Sequence, residues 1–167
     1  IAKGLTSGYI PMGGLIVSDK VFDVIKTAGD FNHGFTYSGH PVAAAVALEN
    51  IRILREEKIL EQVREQTAPY LQKRLRELND HPLVGEVRGV GMLGAIELVK
   101  DKATRARYEG KAVGMICRAH CFNNGLIMRA VGDTMIIAPP LVISKAEIDE
   151  LVTKARLCLD LTLKDLQ

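Results

Sequence analysis

Lys3 has the surroundings of a nucleophile. It precedes Thr6-Ser7-Gly8-Tyr9-Ile10-Pro11-Met12-Gly13-Gly14, a loop crowded with small residues that leads into an apolar run. Such a loop lets backbone approach a bulky group closely. A lysine amine desolvated there becomes neutral and nucleophilic; taken alone, a lysine so near the first residue is a solvated charge. The second candidate is Phe35-Thr36-Tyr37-Ser38-Gly39-His40, a hydroxyl-rich stretch that feeds Pro41 at a helix start. The free N–H groups of a helix N-terminus beside hydroxyls suit an anion such as phosphate. Capping and turn formation explain the same residues without a ligand. The third is Arg129, which closes the apolar run Leu126-Ile127-Met128. Its planar fork can recognise a carboxylate, or its stem can simply snorkel to water.

Two further patterns favour plainer readings. Cys117, His120 and Cys121 stand close enough on one helix to suggest a metal site. A structural zinc site wants four ligands, and no second cluster supplies them, so these read as buried helix residues. Gly89-Val90-Gly91-Met92-Leu93-Gly94 fits G-x-G-x-x-G. Dinucleotide binding requires a strand before that motif and a helix opening within it. A strand follows here instead, so a glycine-rich strand bend is expected.

Elements must position these residues. Leu15-Ile16-Val17 reads as a short buried strand, followed by a helix over 20–27 behind Ser18 or Asp19. Pro41 opens a helix to about residue 56, with Val42, Val46 and Ile53 on one face. A second amphipathic helix spans 59–78, with a kink or restart at Pro69. Strands are expected over 84–88 and 92–99, a helix over 108–124, and strands over 126–129 and 135–138. Ser144 and Glu147 form a capping box for a last helix to about residue 163. Residues 80–167 thus predict a small open α/β sandwich with mixed strands.

Composition sets the bounds. The 167 residues carry 22 Lys plus Arg against 20 Asp plus Glu, a net charge of +2 that gives no reason to expect nucleic acid as a partner. Hydrophobic residues are 47% and charged residues 25%, as in ordinary globular proteins. No run approaches the roughly 18 apolar residues of a membrane span, and no signal peptide is visible. Cys117, Cys121 and Cys158 form an odd set at no disulfide spacing, which predicts a reducing, cytoplasmic setting. The first residue is Ile1, so a processed chain, a trimmed one or a piece of a longer protein is expected.

The motifs also carry a family resemblance. Residues Ala2 to Gly14 resemble the Schiff-base segment of class III pyridoxal-phosphate aminotransferases. Phe31-Asn32-His33-Gly34-Phe35-Thr36-Tyr37-Ser38-Gly39-His40-Pro41-Val42-Ala43 resembles the phosphate-side loop of the omega-transaminases (amine:pyruvate type). Arg88 to Gly91 with Gly94 to Leu98 resembles their small-domain strands, and Gly125 to Leu141 their substrate segment. The resemblance implies the C-terminal part of a fold-type I enzyme, without the N-terminal part that holds other cofactor contacts. It divides the chain into the end of the large domain (1–45), a linking helical segment (46–79) and a small α/β domain (80–167).

The same resemblance implies amino transfer between an amine or ω-amino acid and a keto acid such as pyruvate. Lys3 would hold pyridoxal 5′-phosphate covalently and then shuttle the proton. Phe35 and Thr36 would contact the phosphate in the other subunit of a homodimer with shared active sites, possibly within a tetramer. Arg129 would bind the substrate carboxylate. A decarboxylase or aminomutase of the same family, or a non-catalytic α/β binding module over 80–167, is the alternative.

Overall fold

A computed structural model describes all 167 residues, Ile1–Gln167, as two compact units, Ile1–Lys58 and Ile59–Gln167. Local signals rather than a core shape the first unit. A 3₁₀ turn covers Lys3–Thr6, α1 covers Asp19–Thr27, and α2 covers Pro41–Glu56 with Pro41 in its first turn. Thr6, Ala43 and Ala47 are its buried residues.

Leu15, Ile16 and Val17 form no strand, and Leu15 and Ile16 are 86% and 83% exposed. A strand needs a ladder partner for its N–H and C=O groups, and this unit offers only an isolated bridge between Ala2 and Gly13. The buried side of α2 also differs from the expected Val42 line. Ala43, Ala47 and the half-buried Asn50 follow one another at i, i+4 and i+7, while Val42 is exposed.

The second unit opens with α3 (Ile59–Gln62), a π-helical turn (Val63–Thr67), α4 (Ala68–Arg76) and a 3₁₀ turn (Glu77–Asp80). The restart expected at Pro69 falls at Ala68. The wider π turn accommodates the missing N–H and the ring of the proline, which then sits in the first turn of α4. Four strands follow, β1 (Val84–Val90), β2 (Leu93–Leu98), β3 (Arg129–Val131) and β4 (Thr134–Ile137). They assemble in the order β1-β2-β4-β3, and every neighbouring pair is antiparallel rather than mixed.

The strand expected over 126–129 starts only at Arg129. Leu126 and Met128 bury and Ile127 points out, so the alternation is present without the ladder. Helix α5 (Val113–Asn123) begins later than residue 108 because Gly110 takes a φ of +68°, outside the right-handed helical region.

One sheet face carries Ile96, Leu98, Met135 and Ile137. These pack with Leu71 and Leu75 of α4, with α5, and with Ile148, Val152 and Leu159 of α6 (Lys145–Leu166). Cys117, Cys121 and Cys158 are free and buried in this core, and no metal-ligating cluster exists. Ser144 and Glu147 make the expected capping box: the Glu147 N–H donates to Ser144 Oγ at 3.2 Å, and the Ser144 N–H to Glu147 Oε2 at 2.7 Å. The Ser144 N–H and then the Ser144 hydroxyl, both donating to the carboxylate, hold Glu147 below its ordinary range. The glycine motif spans the end of β1, a turn at Gly91 (φ +57°) and the start of β2, which is the expected bend, and it also serves packing. A Cβ at Gly94 would lie 2.5 Å from Leu75 Cδ1 in the core.

Helix α5 is seated on the turn between β3 and β4. The Gly114 N–H donates to Asp133 Oδ1 at 3.1 Å, and a Cβ at residue 114 would stand 2.1 Å from the Gly132 carbonyl oxygen. Gly114→Ala should therefore push the helix off the hairpin that carries Arg129. We expect a loss of about 1–3 kcal/mol of stability, typical of overpacking. An unchanged urea midpoint would show that α5 does not rest on this turn.

Candidate functional site

Lys3 stands at the head of its 3₁₀ turn with φ +52°, and Ser7 closes the turn with φ +48°. Positive φ in a non-glycine residue costs about 1–3 kcal/mol, so the surroundings must impose it. Side chains from both ends of the unit do so. The Asn50 amide, on α2, donates to the Gly4 and Leu5 carbonyls at 3.0 and 3.1 Å and accepts from Ser7 Oγ at 2.6 Å. Thr6, buried, donates its hydroxyl to the Ile10 carbonyl at 2.7 Å. Each such bond contributes about 0.5–1.5 kcal/mol net, so together they are of the order of the backbone strain. The Lys3 side chain is exposed, and its amine has neither hydrogen bond nor ion pair.

The aromatic loop is ordered by its own rings. Phe31 and His33 lie 5.7 Å apart, His33 and Phe35 6.1 Å, and Tyr37 and His40 6.4 Å, in tilted or edge arrangements. The following turn is closed by Phe35 and Ser38. The Phe35 N–H donates to Ser38 Oγ at 3.0 Å, and the Ser38 N–H to the Phe35 carbonyl at 2.9 Å. Thr36 takes no part in this closure, and its hydroxyl and N–H remain free. A cleft of about 530 Å³ lies between Met12, Gly13 and Gly14 on one side and His33, Phe35 and Tyr37 on the other. Phe35 and the glycine-rich loop thus come together, while Lys3 and Thr36 stand outside the lining.

Arg129 belongs to the second unit. The register places Arg88, Ala95, Ile136 and Arg129 in one row across the sheet, on the face away from the core. The two arginines differ in what they touch. Arg88 donates to Glu97 at 2.9 Å and to Glu86 at 3.3 Å, and Arg107 holds the other Glu97 oxygen at 3.2 Å. Arg129 is exposed and has no carboxylate partner. It lines a cleft of about 380 Å³ with Arg118, Phe122 and Ile127. Of the two arginines in the row, Arg129 is therefore the one available to an incoming carboxylate.

Asn50 and Thr6 were not apparent as site residues in the sequence. The available signal was Asn50 itself, a polar residue spaced i+7 and i+3 from the two alanines that α2 buries.

The model of the class-III aminotransferase family matches residues 1–159, and the chain belongs to that family. It is 73% identical over 162 residues to the putrescine–pyruvate aminotransferase of Pseudomonas aeruginosa, covering 97% of this chain and 36% of that protein. It is 42% identical to the mitochondrial gamma aminobutyrate transaminase 1 of Solanum lycopersicum, over 91% of this chain and 30% of the relative. The solved structure of a PLP-bound aminotransferase mutant from Vibrio fluvialis superposes with a TM-score of 0.93 at 34% identity, over 99% of this chain and 38% of that one. The chain spans about a third of the length of these proteins. Its α/β architecture is that of part of a fold-type I transaminase.

Glu97 links the charged sheet face to stability. Its side chain is 16% exposed, and its carboxyl is held below the usual range, first by the Arg88 hydrogen bond and also by Arg107. A depressed carboxylate contributes stability that is complete above the unfolded-state value of about 4.3 and is lost as pH falls through the lower folded value. Wild type should therefore lose stability faster than Glu97→Gln below about pH 5. Urea titrations over that range check this, and parallel slopes would show that the pairing contributes nothing.

Proposed function

We propose that the enzyme to which this chain belongs moves an amino group from a primary amine or ω-amino acid to a keto acid such as pyruvate. Its cofactor is pyridoxal 5′-phosphate. The observation that carries this reading is Lys3: an unpartnered amine on a strained, clamped turn, within the stretch matched to the family. The transaminase names of the relatives described above favour amino transfer over decarboxylation or aminomutation.

The residues present fit the cofactor. A free amine at Lys3 can link it, and the unengaged Thr36 hydroxyl and N–H can donate to the phosphate of a cofactor held by another subunit. When bound, the cofactor supplies the electron sink for charge developing at the substrate carbon. Lys3 would hold it, and the Lys3 Nζ would carry the proton to and from that carbon. Arg129 orients the substrate through a bidentate contact with its carboxylate.

In this reading Phe35 and Thr36 serve the other subunit's phosphate, so the enzyme is a homodimer with shared sites. Leu15, Ile16 and Tyr37, each more than four-fifths exposed, agree with a unit completed by further sequence of the same enzyme. The free cysteines agree with a cytoplasmic setting, and no helix is long and apolar enough to cross a membrane.

Borohydride reduction of the full-length holoenzyme, followed by peptide mapping, should find the cofactor fixed on Lys3. A label on any other lysine would overturn the reading. Loss of a charge-assisted contact of about 1.5–3 kcal/mol means that Arg129→Ala should impair keto acids and amino acids by about tenfold or more. Amines and aldehydes, which lack the carboxylate, should suffer less. Equal losses in both half-reactions would make Arg129 structural.

A further inference from the structure

The Lys3 turn has two unusual ends and one external support. Lys3 and Ser7, both at positive φ, bracket Gly4, Leu5 and Thr6. The carbonyls of Gly4 and Leu5 point to the same amide, Asn50 Nδ2, while the Ser7 hydroxyl donates to Asn50 Oδ1. All of these partners lie more than forty positions away in the chain, so the contact is not local turn chemistry. Asn50 stands on α2, a regular helix of 16 residues, on the side where Ala43 and Ala47 are buried. A site residue is best held by a rigid element whose own rotamer is fixed by hydrogen bonds. We infer that Asn50 is the positioning residue for Lys3: its amide fixes the Lys3–Ser7 turn in the conformation that presents the lysine amine to the cofactor.

This inference rests on the reading of Lys3 given above, and the chemistry of the amide makes it specific. Two N–H groups meet two carbonyls, and the carbonyl oxygen accepts from one hydroxyl, so both donors and one of the two acceptor sites of the Asn side chain are used. Asn50→Asp keeps size and the acceptor for Ser7 but turns an acceptor toward the Gly4 and Leu5 carbonyls. Asn50→Ala removes all three bonds, and Ser7→Ala removes only one. The harm should therefore follow the order Asp, then Ala at position 50, then Ala at position 7.

The test uses the full-length holoenzyme and its variants at saturating pyridoxal 5′-phosphate. Asn50→Asp should slow borohydride fixation on Lys3 and lower kcat by about tenfold or more, as small misplacements of a reacting group do. The absorbance of the bound cofactor should shift, and KM for pyruvate should change little. Should Asn50→Asp fail to fold, Asn50→Ala and Ser7→Ala carry the same readouts. A variant that melts earlier, yet keeps wild-type absorbance and a wild-type fixation rate, would reduce Asn50 to a structural role and overturn the inference. If wild type itself is labelled elsewhere than Lys3, the Lys3 reading fails first. If wild type is labelled on Lys3 and the variants match it, the inference about Asn50 alone fails.

Discussion

The two-sidedness of a strand is the constraint on which the second unit depends. Successive side chains must point to opposite faces, so a residue's neighbours across the sheet are fixed once the register is fixed. In the β1-β2-β4-β3 sheet the core rows run through Ile96 and Met135, and the outer row runs through Arg88, Ala95, Ile136 and Arg129. A slip of one residue in β3 would turn Arg129 into the core and bring Ala130 out. The seating of Gly114 on the β3–β4 turn and the burial of Leu126 and Met128 hold that register. They decide whether a cation at residue 129 faces water, where a carboxylate can reach it.

The first unit works under the opposite regime. It buries Thr6 and two alanines and leaves most of its large apolar side chains exposed. Little apolar area is removed from water, so the hydrophobic term is small and conformation is set by hydrogen bonds and rings. The Lys3 turn, the Phe31–His33–Phe35 array and the Phe35–Ser38 turn are all of this kind. Such contacts are directional, and they can specify a backbone conformation that packing alone would not select.

That contrast also explains which features were legible in the sequence. Where a segment's structure follows from its own periodicity and its own partners, the pattern sufficed. Ser144 with Glu147, the i and i+4 leucines of α4 and the alternation in β2 all lie where expected. Cys117 and Cys121 of α5 are core residues, as their burial preference suggested, whereas His120, read with them, is only half-buried and pairs with Asp165 at 2.7 Å. Where the outcome depends on a distant partner, the pattern fell short. Leu15-Ile16-Val17 has strand composition but no strand beside it. Leu126 to Met128 alternates correctly but lies beyond the ladder that β4 provides. The antiparallel direction of every strand pair depends on connections that the periodicity of any one strand does not contain. At the site, Lys3, Thr36 and Arg129 were visible as chemical types in suggestive settings. What the structure adds is their state: an unpartnered amine, an unengaged hydroxyl and an unpaired guanidinium.

The glycine motif shows how one pattern can arise from two physical causes. In a phosphate-binding turn, glycines let backbone N–H groups approach an anion. Here Gly94 is required because Leu75 of α4 occupies the space of its side chain, and Gly89 because Gln72 and the Leu93 carbonyl crowd its position. Gln72 then donates to the Gly91 and Leu93 carbonyls at 2.9 and 3.1 Å, so the same close approach lets α4 bind the hairpin. The Lys3 turn shows the complementary case. Lys3 and Ser7 adopt the backbone geometry that glycine would take most easily, yet neither is glycine. A glycine at residue 3 would relieve the strain and remove the amine. Keeping a lysine there requires outside support, and in this unit, with so little buried apolar surface, the side chain of Asn50 provides it.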